Sequence, residues 1–313
     1  MSDGLLASLR QPALPFDGWE SWWSRFVLHL DPALSPAAQA WLGGALATGP
    51  EQAFLAAYQV ALGALLGMPP IRLRAFAAAE GPGTSLRRPA TQLAAGPGGG
   101  LELRGRKSFV TLPECLDEWL VLASRVPGED CRETVVVRLD RNQIGASLTA
   151  TGLVPAGFRD LRFGRLTFDG LPVAAEAVLP GPGHEDYSRR FRWLEDHLVL
   201  IALLGWLLRT LLSDQAGGWT RGQLRDDAET LLLLARALSA QASAGGDEVS
   251  AVLTFAGARS RLGDLLEKWR SLVAPGSALH AGLPVLEGLL AVAVVAQAKR
   301  REKAWSRVQG PEN

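Results

Sequence analysis

The apolar residues of this chain change period twice, and that order constrains the fold more than any single motif. From about Gly18 to Gly67 they recur every three or four residues, in "WESWWSRFVLHL", "SPAAQAWLGGALA" and "PEQAFLAAYQVALGALL", which predicts three helices. Ser35 before Pro36 reads as an N-cap and a first helical residue, Glu51 follows Pro50 in the same way, and Pro69-Pro70 end the third helix. From Ile71 to about Pro180 the runs are short, partly alternating and punctuated by glycine or proline: "IRLRAFAA", "LELRGRKSFVT", "EWLVLASRV", "ETVVVRLD", "GASLTATGL" and "LRFGRLTFDGLPV" predict strands. "GPGGG" at 96–100 is a hairpin turn, because a phosphate-cradling loop needs a helix after its glycines and here another strand follows. From Tyr187 onward the helical period returns over 189–213, 221–244, 247–273 and 278–306, with breaks at Gly217-Gly218, Gly245-Gly246 and Pro275-Gly276. Four long helices with short links predict an antiparallel bundle.

The expected organisation is therefore a short helical region over 1–70, an all-β domain over 71–186 and a helical bundle over 187–313. With 48% hydrophobic residues such a chain buries a sizeable core. Charge balances at 32 basic and 32 acidic residues, so no basic field points to nucleic acid. Cys115 and Cys131 form no CxxC, and His29, His184, His197 and His280 are scattered without ligand spacing, so no metal site is expected. HExxH, GxSxG and the P-loop are absent. The first residues lack the charged-then-apolar pattern of a signal peptide. The apolar run Leu198–Leu208 stops at Arg209, too short for a bilayer, and a cytoplasmic protein without a membrane span is expected. Trp19, Trp22 and Trp23 stand at the spacing of one buried helix face.

Three stretches, in this order between two helical regions, resemble the acyl-CoA dehydrogenase family of flavoproteins. "GRKSFVTLPECLDEWLVLASRV" looks like the family's Gly-x-Lys, aromatic, threonine and following apolar strand. "GFRDLRFGRLTFDGLPVAAEAVL" resembles its Gly-x-Arg, strand and closing "V-L", and "AAAEGPGTS" at 77–85 stands where the family has Thr-Glu-Pro and then Gly-Ser-Asp. The resemblance covers roughly residues 70 to 245 and implies an α+β multidomain fold: a short N-terminal helical region, a middle β-barrel/sandwich domain and a C-terminal four-helix bundle. It implies FAD held between the β domain and the bundle. It also implies oxidation of an acyl thioester, on coenzyme A or a carrier protein, in fatty acid metabolism. A base takes the proton α to the thioester carbonyl while hydride leaves the β carbon. Removing so weakly acidic a proton needs a carboxylate dry enough to have its pKa lifted toward neutrality.

One of two family positions for that base falls on the first bundle helix, ten residues before a glycine; here Glu195 stands ten before Gly205. Glu195 shares a helix face with Val199 and Ala202, and an apolar setting would raise its pKa. A glutamate in the first turn is equally what a helix dipole favours. The commoner family position, before the last helix, has no acid in the loop of "LVAPGSALHAGLPVLEGLL", and Glu287 falls inside the helix. His197 reads as a packing histidine. Phe109 stands where the family often places a tryptophan against the flavin, and Thr111 keeps a threonine that can bond the ring edge. Either is also an ordinary strand residue. Thr84 or Ser85 stands in for a serine near the pyrophosphate, and Arg221 for an arginine that reaches FAD phosphates across a dimer, or else a solvated residue at a helix start. The chain departs from the family at Ala79, where a threonine is usual, in lacking a Gln-x-x-Gly-Gly stretch, and in its short N-terminal region.

The resemblance thus implies an acyl-thioester dehydrogenase that is a homodimer or homotetramer. The alternatives are a partner subunit or scaffold without its own catalysis, in a heteromer with another such subunit, or an acyl-thioester binding module.

Overall fold

The computed structural model of the chain describes residues 6–81, 84–96, 99–111, 115–125, 133–143, 148–153, 158–213, 218–242, 249–291 and 294–309. They divide into two compact units, one of Met1–Ala61 with Trp193–Asn313 and one of Leu62–Arg192. Cys131, Gly217 and Gly245-Gly246 lie outside the described residues.

Three helices open the chain: α1 (Trp19–Val27), α2 (Pro36–Leu46) and α3 (Pro50–Leu66). Ser35 caps α2 by accepting the Ala38 N–H, with proline at the first helical position. Trp22 and Trp23 are buried with Phe26, while Trp19 is half-buried and meets Phe16 edge-on. After the β region come α4 (Arg189–Ser213), α5 (Arg221–Gln241), α6 (Val249–Trp269), α7 (Ala278–Ala291) and α8 (Val294–Gln309). Residues 183–213 are long and apolar enough to cross a membrane, but 72% of the most apolar window is buried within the protein.

Glycine sets how closely α2 packs. A Cβ on Gly44 would stand 1.9 Å from the Ala202 carbonyl oxygen of α4, and one on Gly205 would stand 2.9 Å from the Trp41 carbonyl oxygen. On the other side of α2, a Cβ on Gly43 would stand 2.4 Å from the Ala56 Cβ of α3. Backbone therefore meets backbone where α2 crosses α4, as only small residues permit. Farther along, Thr220 and Gln223 form a capping box at the start of α5. Buried Asp227 then accepts from the indole N–H of Trp219 at 3.0 Å, that of Trp269 at 2.8 Å and Lys268 Nζ at 2.7 Å, tying α5 to α6.

The other unit carries seven strands: β1 (Arg74–Ala77), β2 (Gln92–Ala95), β3 (Leu101–Thr111), β4 (Glu118–Arg125), β5 (Glu133–Asp140), β6 (Leu148–Leu153) and β7 (Phe163–Val173). They form one sheet in the order β1-β4-β2-β3-β7-β6, with β5 on β4. One edge of β4 is shared, in parallel, by β1 over its first half and β2 at its last two residues, and β5 runs antiparallel on the other edge. That central place explains the unbroken burial of Glu118–Ser124. β2 and β3 are joined as the hairpin expected at "GPGGG", Ala95 opposite Leu101, with Gly99 at φ 84. At the head of β4, buried Glu118 accepts hydrogen bonds from Arg74 Nε at 2.5 Å, Arg72 Nη1 at 2.8 Å and Arg138 Nη2 at 2.5 Å.

Two elements differ from the sequence expectation. β2 was not among the expected strands; its Gln-Leu-Ala-Ala is weak in β propensity and is fixed by its neighbours. The span 278–306, expected as one straight helix, is described as α7 and α8, bent by 58° relative to each other, although residues 291–297 carry neither glycine nor proline.

Candidate functional site

β3 does not run straight to its end. Gly105 holds φ at 137, and a Cβ there would stand 2.6 Å from Thr91 Cα, so the glycine of Gly-x-Lys is required twice over. Two residues on, the β3–β7 register shifts between Lys107 and Val110. Within that bulge Phe109 adopts φ 57, left-handed, as no other described non-glycine residue does. Such a conformation costs about 1–3 kcal/mol for a bulky residue and persists only where the surroundings impose it. Its effect is outward: Phe109 is 62% exposed, while Val110 and Thr111 beside it are buried.

The loop after β1 lies along this bulge. The Ser108 N–H donates to the Ala79 carbonyl at 2.7 Å, and fully buried Lys107 bonds Glu80 Oε1 at 2.7 Å. Glu80 also accepts the N–H groups of Ala90 at 2.7 Å and Thr91 at 2.8 Å. Thr84 and Ser85 follow on the same loop, both exposed, with the Thr84 hydroxyl donating to the Gly81 carbonyl at 2.8 Å and Ser85 Oγ accepting the Arg87 N–H. Phe109, Thr111, Thr84 and Ser85 thus belong to two hydrogen-bonded elements, although the sequence separates them by more than twenty residues.

The Lys107–Glu80 pair titrates unevenly. Burial pushes the Lys107 amine down to about 8, against the pull of Glu80. Burial pushes Glu80 up, but the donors from Lys107, Thr91 and Ala90 outweigh it and hold the carboxyl below its usual range. Both shifts run downward but with opposite effect on charge: the carboxylate has several donors that favour its ionised form, whereas the ammonium has little besides the carboxylate to favour its own. Between pH about 8 and the ordinary lysine value of 10.5, the folded chain has released a proton that the unfolded chain keeps. This group therefore adds stability as pH rises through that window. Urea titrations at stepped pH should show a rising contribution there that Lys107→Met removes; an unchanged profile in the variant would place the titration elsewhere.

The remaining expected residues lie in the helical unit. Glu195 stands in the second turn of α4, half-buried, with half-buried Val199 and fully buried Ala202 on its face. Arg221 opens α5 directly after the capping threonine and is exposed. Glu287, inside α7, is ion-paired to Arg270 at 3.0 Å. Next to Glu195 the sequence reading missed a cluster. Asp196 is bonded by Arg300 Nη2 at 2.6 Å and Gln297 Nε2 at 3.1 Å. His197 is wholly buried, its ring 3.9 Å from that of Trp193 and 5.0 Å from that of Phe255. Burial pushes the imidazole down, opposed by the Trp193 carbonyl 3.1 Å from Nδ1 and by Asp196. The signal was present in the adjacency of Asp196 and His197, but the partners of Asp196 lie about a hundred residues away. Among the described residues no cluster suited to a metal ion occurs.

No family model matches the chain, and no curated protein matches its sequence. Solved structures do match its fold. An FAD-dependent dehydrogenase aligns at TM-score 0.69 with 14% identity, over 98% of this chain and 97% of its own. The butyryl-CoA dehydrogenase of Megasphaera elsdenii aligns at TM-score 0.67 with 13% identity, covering 92% and 90%. The dibenzothiophene monooxygenase of Paenibacillus sp. A11-2 aligns at TM-score 0.68 with 11% identity, covering 98% and 94%. Matched over nearly its whole length, helices and sheet alike, the chain has the acyl-CoA dehydrogenase fold.

Proposed function

We propose that the chain is a flavin-dependent dehydrogenase that introduces an α,β double bond into an acyl thioester. The observation that carries this is Phe109: a strained, outward-facing aromatic beside a polar loop is hard to account for unless a flat apolar group covers it. A flavin ring fits that description, and structures of this fold include an FAD-dependent dehydrogenase and an FMN-bound monooxygenase from Paenibacillus. In this reading Phe109 packs on the ring, Thr111 lies at its edge, Thr84 and Ser85 offer hydroxyls toward the phosphates, and Arg221 of a second copy in a dimer supplies a charge for them. When bound, the flavin accepts the hydride from the β carbon. Glu195 takes the α proton, from the helix face it shares with half-buried Val199 and buried Ala202. FAD is the form proposed, and further copies of the chain or a related subunit would cover exposed apolar residues such as Leu233 and Val308.

Purified protein should carry an oxidised-flavin absorbance that bleaches on mixing with an acyl thioester. Glu195→Gln should keep the absorbance and slow bleaching by about 10²–10⁴-fold, the usual loss on removing a general base. Bleaching at the parent rate would take Glu195 out of the chemistry. Ala79, where a threonine is usual, favours a second reading, a thioester-binding protein or partner subunit without redox work. Protein that stays colourless when mixed with FAD would support that reading over the first.

A further inference from the structure

The helical unit holds a cavity of about 670 Å³ between α4, α6 and the α7–α8 region, within the range of small-molecule sites. Its walls are mostly apolar, with rings from Trp193, Phe255 and Trp305 and aliphatic groups from Leu290 and Val294.

The charges facing the cavity are unbalanced. Asp196 is answered by Arg300 at 2.6 Å. Arg259 is half-buried, donates to the Leu290 carbonyl, and has no carboxylate in ion-pair range among the described residues. Burial presses its guanidinium down, with only the more distant Asp196 opposing. Arg301 and Glu302 at the exposed rim offset each other. One positive charge is left over, on a planar group that takes carboxylate oxygens in pairs.

From the rings and the surplus guanidinium we infer that this cavity is a binding site for a small aromatic carboxylate, its ring among Trp193, Phe255 and Trp305 and its carboxylate on Arg259. The lining residues lie wholly within Trp193–Trp305 and include none of those given roles at the flavin or in proton transfer, so the inference stands apart from the dehydrogenase reading.

The probe is naphthoate, with neutral naphthamide as comparator, titrated into the full chain by calorimetry. Naphthoate should bind at one site per chain and naphthamide at least tenfold more weakly. Arg259→Met should weaken naphthoate tenfold or more and leave naphthamide unchanged, Arg259→Lys should recover part of the loss, and Ala256→Trp, on the cavity wall, should abolish both. Thermal unfolding of each variant separates loss of site from loss of fold. Absence of naphthoate binding, equal affinity for the two compounds, or binding that survives Ala256→Trp in folded protein would overturn the inference. So would binding that depends on dissociating an oligomer, since a second copy would then fill the cavity. Glu195→Gln is expected to leave naphthoate affinity unchanged, which keeps this result distinct from a failure of the dehydrogenase reading.

Discussion

Gly44→Ala is expected to lower the urea-unfolding free energy by about 3 kcal/mol or more, at the upper end of what one added methyl does in a packed core. The added carbon would stand 1.9 Å from the Ala202 carbonyl oxygen, 2.7 Å from its carbon and 3.0 Å from its Cα. None of these is the far end of a flexible side chain that could swing aside. The two helices must separate, and the contacts of fully buried Ala45, Leu46 and Leu204 loosen with them. Gly257→Ala in α6 is the control: nothing lies within 4 Å of its added carbon, so better helix propensity should raise stability by about 0.5–1 kcal/mol. Equal midpoints for the two variants would mean that α2 and α4 do not approach as described.

Glu118→Ala should be as damaging in the other unit. Arg74 is 1% exposed in its side chain and gives its Nε to this carboxylate at 2.5 Å. Arg72 and Arg138, about two-fifths exposed, can turn to water, but Arg74 cannot. Breaking a buried pair by removing one partner typically costs about 3–5 kcal/mol, because a charge is left desolvated and unanswered. Glu118→Leu combined with Arg74→Met should recover most of that loss, since replacing both partners removes the stranded charge. If the double variant were no more stable than Glu118→Ala, the penalty would lie in packing instead. The pH dependence has a definite sign. Burial pushes the Glu118 carboxyl up, but Arg74 and Arg138 outweigh it and hold it below its ordinary 4.5. Its stabilising contribution is full above that value and is lost as the pH falls through the lower, folded one.

Much of the architecture was legible because hydrophobic period reports which face of an element is buried. α3 and α4 begin and end where prolines and the return of the helical period placed them. β2 was not legible, because four residues of low β propensity become a strand only when β3 and β4 flank them. The bend between α7 and α8 left no turn residue in the sequence to read. At the candidate site, the sequence yielded residue types but not their conformation. Phe109 reads as a strand aromatic of a core, and its left-handed backbone follows from a bulge set by the pairing of β3 with β7. The cluster of Asp196 and His197 was hidden for a related reason: its arginine, glutamine and second aromatic ring come from other helices.

The crossing of Gly44 with Ala202 also bears on how the chain is made. α2 leaves the ribosome with its bare glycine surface complete, but the helix that fits it follows roughly 160 residues later, after all seven strands. At ordinary elongation rates that is a wait of about 10–30 s, long compared with the microseconds in which a helix forms. During it the face bearing Gly44 and Trp41 has no native cover, so the nascent chain is most open to aggregation or chaperone capture until α4 emerges.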